Sequence, residues 1–344
     1  MSEQQDEFDL NDLEGRVCVI TGAGNNGIGW GIAVHAATQS GMHVVLVDLH
    51  DNVVRDATAQ LEERIHQEKL EVQVLGIACD VTDPDQLASC LMQIQMTFPD
   101  VPIGAVFANA GVSFNHTIMK STLTEWQTTL NVNVLGVVNT LKTFVPVLQE
   151  QTEAAIVCPT ASVGGLVRGD GGGSAYQASK HAVVALTESL SFELARRYPQ
   201  IRVHVLCPCI VSTALLTSSQ TNAAVAAGDS SSDDVEQIRP RNHGDLAMTP
   251  ERHAEQVFDH IAAGHFYMIT DNVRPYVDHD YPFDGLGIVK ERVDNMLQLK
   301  IDNSDALAPD PSGPASSILK GPMWQEMARR REAQRERQRE ERDQ

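Results

Sequence analysis

The chain has 344 residues, 42% of them hydrophobic and 21% charged, and a formal net charge of −20. That composition can build a sizeable core, while so acidic a surface argues against nucleic-acid binding, which depends on clustered cations facing phosphate. The six cysteines sit mostly in apolar runs, so no disulfide framework is implied, and the longest apolar runs, such as Val44 to Val47, are too short to cross a bilayer.

Residues 1–14 are acidic and have neither the basic and apolar parts of a secretory signal nor an Arg-rich transit face. They read as an acidic N-terminal tail, with the cytoplasm as the expected location. Apolar, β-branched runs then follow at Arg16–Ile20, His43–Val47, Val72–Ala78, Ile103–Ala108, Ala155–Val157 and Arg202–Leu206. They alternate with segments of helical period at Gly27–Ser40, Asn52–Glu68, Pro84–Phe98, Leu123–Gln149, Ala175–Arg197 and Pro250–Ala263. Continuous rather than alternating apolar strands are those of a parallel sheet covered on both faces. The expected fold is therefore α/β, a doubly wound Rossmann fold with a parallel sheet of about seven strands, closed by His265–Thr270.

Residues 15–301 read as one globular domain. Within it, 214–248 is Ser-, Asp- and Ala-rich, and it follows the strand whose carboxyl end borders the ligand crevice. It reads as a mobile insertion, either a substrate lid or a plain surface loop. Residues 302–344 read as a Pro/Ser/Asp-rich linker and a charged tail, whose seven arginines between Arg329 and Arg342 are interleaved with acids. Such a mixture is a salt-bridged, solvated helix first and a binding tail second.

After the first strand comes Thr21-Gly22-Ala23-Gly24-Asn25-Asn26-Gly27-Ile28-Gly29. Glycines between a strand and a helix let the backbone turn tightly and approach a pyrophosphate, whose charge is stabilised by the helix N-terminus. Gly22, Gly27, Ile28 and Gly29 are the residues expected to touch it. Asp48 ends the second strand, where a carboxylate accepts the hydroxyls of an adenosine ribose and repels a 2′-phosphate. With no Lys or Arg in the loop, NAD is preferred and NADP is not excluded. Tyr176 and Lys180, in Tyr176-Gln177-Ala178-Ser179-Lys180, are four residues apart, so a helix stacks an ammonium beside a phenol. An adjacent cation favours the phenolate and brings a phenol of pKa about 10 toward acid-base work.

Taken with Asn109-Ala110-Gly111, Asn133 and Ser162, in that order, these residues make the sequence resemble the short-chain dehydrogenase/reductases from about Gly15 to about Thr213. The family's T-G-x-x-x-G-x-G loop is one residue longer here. The resemblance implies Tyr176 as acid-base residue, Lys180 as its modulator and as ligand of the nicotinamide ribose, Ser162 as donor to the substrate oxygen, and Asn133 as holder of a relay water. It implies Asp80 and Val81 at the adenine, with capping of the next helix by Asp80 or Asp83 as a competing reading. Asn109 would line the cleft, and Val211 and Thr213 would hold the carboxamide, with Cys209 where the family has glycine. No metal is expected.

The activity implied is interconversion of a secondary alcohol and a ketone on a mid-sized, partly apolar metabolite. Alternatives are an NADP-dependent carbonyl reductase and a non-catalytic dinucleotide-binding scaffold. The partners expected are a small-molecule substrate and a second copy of the chain, in a homodimer or homotetramer built on Leu123–Gln149 and Ala175–Arg197, with no nucleic acid and no membrane. The stripe Val183, Leu186, Leu190, Leu194 is equally compatible with core burial.

Overall fold

In the computed structural model, residues 8–24, 27–166, 173–213, 215 and 247–270 are described. The first strand, β1 (Val17–Thr21), is buried at every position. It pairs in parallel with β2 (His43–Asp48) on one side and β4 (Ile103–Ala108) on the other. Adding β3 (Val74–Ala78), β5 (Ala155–Pro159) and β6 (Ile201–Val203) gives a six-stranded parallel sheet in the order β3-β2-β1-β4-β5-β6. The helices packed around it are α1 (Ile28–Thr38), α2 (Asp51–Glu68), α3 (Pro84–Thr97), α4 (Leu123–Leu130), α5 (Gly136–Glu150), α6 (Ser174–Leu194) and α7 (Pro250–Ala262). Strand order reverses between β1 and β4, and the carboxyl ends there form the crevice in which doubly wound proteins bind ligands.

The doubly wound α/β architecture agrees with the sequence, but among the described residues the sheet has six strands rather than about seven. The run expected as one strand at Arg202–Leu206 divides at His204 into β6 and β7 (Val205–Pro208), and β7 pairs with β8 (Tyr267–Thr270) in a separate two-stranded ladder. At the break the His204 amide still donates to Val157 O at 2.9 Å, while the Val205 amide already donates to Phe266 O at 2.7 Å. The His204 ring is bonded through Nδ1 to His265 O at 2.7 Å, so one residue spans the change of partner.

The long helix expected at Leu123–Gln149 is interrupted by a π-helical turn at Asn131–Leu135. Leu123–Glu150 as a whole has the length and apolarity to cross a membrane. Within it Val137, Leu141, Phe144, Val145 and Leu148 of α5 are buried, while Leu123, Leu130 and Leu135 are exposed. The α6 stripe is shared between the two readings: Val183 and Leu194 are buried, Leu186 and Leu190 half-buried.

Residues 8–14 depart from the expected tail. Phe8 and Leu13 are buried, the latter completely, and the Phe8 amide donates to Ala262 O at 3.1 Å. Asp9 caps the short 3-10 turn Leu10–Leu13 through the Asn11 amide, so this acidic residue shapes a turn whose leucine enters the core. The other end of the packing is α7, capped by Thr249 on the Arg252 amide as the Thr-Pro pair predicts. It lies so close to α1 that a Cβ on Gly31 would be 2.2 Å from Pro250 O. The domain boundary at 301/302, the tail 302–344 and nearly all of the 214–248 insertion lie outside the described residues.

Candidate active site

The crevice is stitched by two side chains. Thr21 Oγ1 accepts from the Asn109 amide at 3.0 Å and the Ala110 amide at 3.1 Å. Asn109 Nδ2 donates to Thr21 O at 3.1 Å and Gly22 O at 3.0 Å. Gly22 has φ +65°, and a Cβ there would sit 2.7 Å from Ala110 Cα, so only glycine closes this turn. A Cβ on Gly29 would lie 2.5 Å from Gly22 O. Gly27 is the N-cap of α1 and offers no side-chain cap, leaving the first amides of the helix without intrahelical partners. Asn25 and Asn26, where the loop's extra residue falls, are outside the described residues.

Asp48 is half-buried at the end of β2. Its Oδ2 accepts from the Gly24 amide at 2.9 Å and its Oδ1 from the Leu49 amide at 2.8 Å. Gly24, which the sequence reading passed over, is required by this arrangement, because a Cβ would come within 2.2 Å of Val53 Cγ1. A loop whose Gly22, Gly24 and Gly29 admit no Cβ, an uncapped helix N-terminus and a carboxylate with lone pairs to spare fit a dinucleotide, with the glycine loop for the pyrophosphate and Asp48 for a ribose.

Asp80 accepts from the amide and hydroxyl of Thr82, both at 2.8 Å, which makes it a turn former. Asp83 is the residue that caps α3, through the Asp85 and Gln86 amides. Val81 is buried against Gly136, and its carbonyl accepts from Asn139 Nδ2 at 3.0 Å. Val211 is buried and bridges to Met248, and Thr213 is half-buried two residues on.

Tyr176 and Lys180 project from α6 as their spacing requires, with Lys180 Nζ 5.6 Å from the Tyr176 ring centroid. Lys180 is 3% exposed, and its ammonium donates to Thr160 O at 2.7 Å. Burial lowers its pKa from the ordinary 10.5 to about 8. Ser162 lies near enough to the Tyr176 phenol to favour its charged form. Contrary to the lowering that the Lys180 spacing suggested, the phenol's pKa lies above the ordinary value, because burial outweighs the opposing influence of Ser162. Ser162 also accepts from the Gly164 amide at 3.1 Å and so caps the following turn, one role not displacing the other.

Asn133 is completely buried in the π turn. Its Oδ1 accepts from the Val112 amide at 2.8 Å, and its Nδ2 donates to Val112 O and Ser179 Oγ, each at 2.9 Å. A Cβ on Gly111 would lie 3.3 Å from Asn133 Oδ1 and 3.5 Å from Lys180 Nζ, so these groups meet at the end of β4. The loop beyond docks on the start of α6, where the Ser174 amide donates to His116 O at 3.2 Å. There the buried Glu125 holds His116 Nδ1 at 2.9 Å. No sequence motif pointed to that pair.

A phenol beside a hydroxyl, a buried ammonium at its ring and a glycine loop before a helix N-terminus come together in one doubly wound sheet, an arrangement suited to proton transfer next to a dinucleotide. Comparison with known proteins agrees. The short chain dehydrogenase family model matches residues 16–224. The chain belongs to the short-chain dehydrogenase/reductases, enzymes that act on CH–OH groups with NAD or NADP. It is 33% identical over 220 residues to a (−)-trans-carveol dehydrogenase of Rhodococcus erythropolis, covering 61% of this chain and 76% of the relative. It is 26% identical over 309 residues to a C alpha-dehydrogenase of Sphingobium, covering 88% and 91%. A short chain dehydrogenase/reductase of Burkholderia phymatum, solved in complex with NAD, superimposes with a TM-score of 0.65 at 26% identity over 85% of this chain and 96% of that one.

Proposed function

We propose that this enzyme interconverts a secondary alcohol and a ketone on a mid-sized, partly apolar metabolite, with Tyr176 as the acid-base residue. The observation that carries the reading is the buried Lys180 ammonium 5.6 Å from the centre of the Tyr176 ring, with Ser162 beside the phenol. NAD(H), when bound, supplies or accepts the hydride. Tyr176 moves the proton at the carbinol oxygen, and Ser162 donates to that oxygen and orients it. Lys180 would hold the nicotinamide ribose, and its ammonium offsets charge as it develops on the phenolate. Asn133, which like Lys180 borders Gly111, would hold a relay water.

A phenol with a raised pKa stays protonated at neutral pH, the form that serves ketone reduction. Alcohol oxidation needs the phenolate, the form that the neighbouring Lys180 ammonium favours. NAD is favoured over NADP, because Asp48 already sits against the glycine loop, where a 2′-phosphate would meet its charge. Asn109, Asp80, Val81, Val211 and Thr213 would complete the cofactor contacts. The enzyme is read as cytoplasmic and as a homodimer or homotetramer.

The test is Tyr176→Phe. It is expected to lower kcat by about 100-fold or more while NADH affinity stays within a few-fold, because the phenol acts on the substrate. Near-normal turnover would end the mechanism.

A further inference from the structure

We infer that Ser179 is a positioning residue for the proton-transfer machinery, locking the π turn that carries Asn133 to the helix that carries Tyr176 and Lys180. This rests on the reaction proposed above and adds a residue to it. Ser179 is completely buried. Its hydroxyl donates to Tyr176 O at 2.7 Å and accepts from Asn133 Nδ2 at 2.9 Å. A serine inside a helix commonly satisfies itself by bonding back to its own helix. Here the back-bond fixes the hydroxyl's direction and turns its lone pair toward another element.

The Asn133 carboxamide has one acceptor group and two donor hydrogens in use. Val112 takes the acceptor and one hydrogen, and Ser179 takes the other. This pattern fits one orientation of the amide, so Ser179 and Val112 together fix which end of Asn133 faces which neighbour. The consequence reaches Lys180, because Gly111 packs against both Asn133 Oδ1 and Lys180 Nζ. A π turn carries one extra residue and has less regular internal bonding than the helices flanking it. A side-chain tie from α6 holds it in register with the catalytic pair, where misplacement by about 1 Å has large kinetic cost.

Removing the hydroxyl in Ser179→Ala leaves one Asn133 hydrogen buried without an acceptor and frees the turn to shift. The expected result, with 1-phenylethanol, cyclohexanol and 2-octanol as probes in the presence of NAD, is a fall in kcat of about 10- to 100-fold. The pH midpoint of kcat should move by about half a unit or more, with NADH affinity within a few-fold of wild type. In an Asn133→Ala background, Ser179→Ala should cost little more, since the two residues act as a unit.

A purely structural serine would lower the denaturation midpoint and leave the pH profile in place; that outcome, or kcat losses that multiply in the double variant, overturns the inference. If Ser179→Ala does not fold, Ser179→Cys keeps the volume with a weaker donor and is judged by the same outcomes. A wild-type enzyme inactive on every secondary alcohol and ketone with either cofactor would sink the proposed reaction, and this inference with it. An active wild type with an unaltered Ser179→Ala variant sinks only the inference.

Discussion

Lys180→Met is expected to give a dead but more stable enzyme, and the gain should depend on pH. Folding lowers the Lys180 pKa from 10.5 to about 8, a difference that corresponds to about 3 kcal/mol. The sign follows from which state holds the proton. Below about pH 8 both states are protonated and the folded state bears the whole penalty of a buried ammonium. Between about 8 and 10.5 the unfolded chain keeps a proton that the folded chain has released, so stability rises with pH across that window. Methionine fills similar space without charge, but it leaves Thr160 O without the Lys180 bond, at a cost of about 1–2 kcal/mol. The net expectation at pH 7 is a gain of about 1–2 kcal/mol, disappearing by pH 10 as the wild type recovers most of its penalty. Urea denaturation of both proteins at pH 7 and pH 10 measures the difference, in which other titrating groups largely cancel. A difference that is the same at both pH values refutes the reasoning.

Asp48→Ala should narrow the preference for NADH over NADPH, because it removes both the ribose acceptor and the repulsion of a 2′-phosphate; binding titrations with the two cofactors check this, and a wild-type preference for NADPH would overturn it. Gly24→Ala should weaken NADH binding by about tenfold or more with little loss of fold, since its Cβ strikes Val53 and crowds Asp48, and calorimetry reads the affinity directly. Leu13→Ala should cost about 2–5 kcal/mol in a denaturant titration, the range for a fully buried leucine, and a loss below about 0.5 kcal/mol would return residues 8–14 to the status of a tail.

What could be read from the sequence was whatever is written in local spacing. The continuous apolar strands, the Gly22–Gly29 loop with Asp48 after the next strand, the Thr249 cap and the Tyr176/Lys180 stack each rest on a few adjacent residues. The rest depended on which distant segments meet. His204 has an ordinary strand neighbourhood, and only the arrival of β8 divides β6 from β7. The π turn leaves the apolar pattern on either side intact, so Asn131–Leu135 read as uninterrupted helix. Phe8 and Leu13 were hidden by the acids around them. Gly24 and Ser179 looked unremarkable until Val53 and Asn133 were placed beside them. The direction of the Tyr176 shift was misjudged because adjacency to Lys180 is visible in sequence, whereas burial of the phenol is not.

The packing of α7 on α1, with the Phe8 amide bonded to Ala262 O, has a consequence for biosynthesis. The first helix emerges from the ribosome long before its partner: Ile32 and Ala33 on α1 share a core cluster with Phe258 and Ile261 on α7. At about 5–20 residues per second, the interval between them is on the order of ten to fifty seconds. Throughout that time the nascent chain can form β1-α1-β2 but leaves one side of α1 uncovered. That apolar face stays open to water until α7 emerges, and it is then closed through contacts between the chain's earliest and latest described segments.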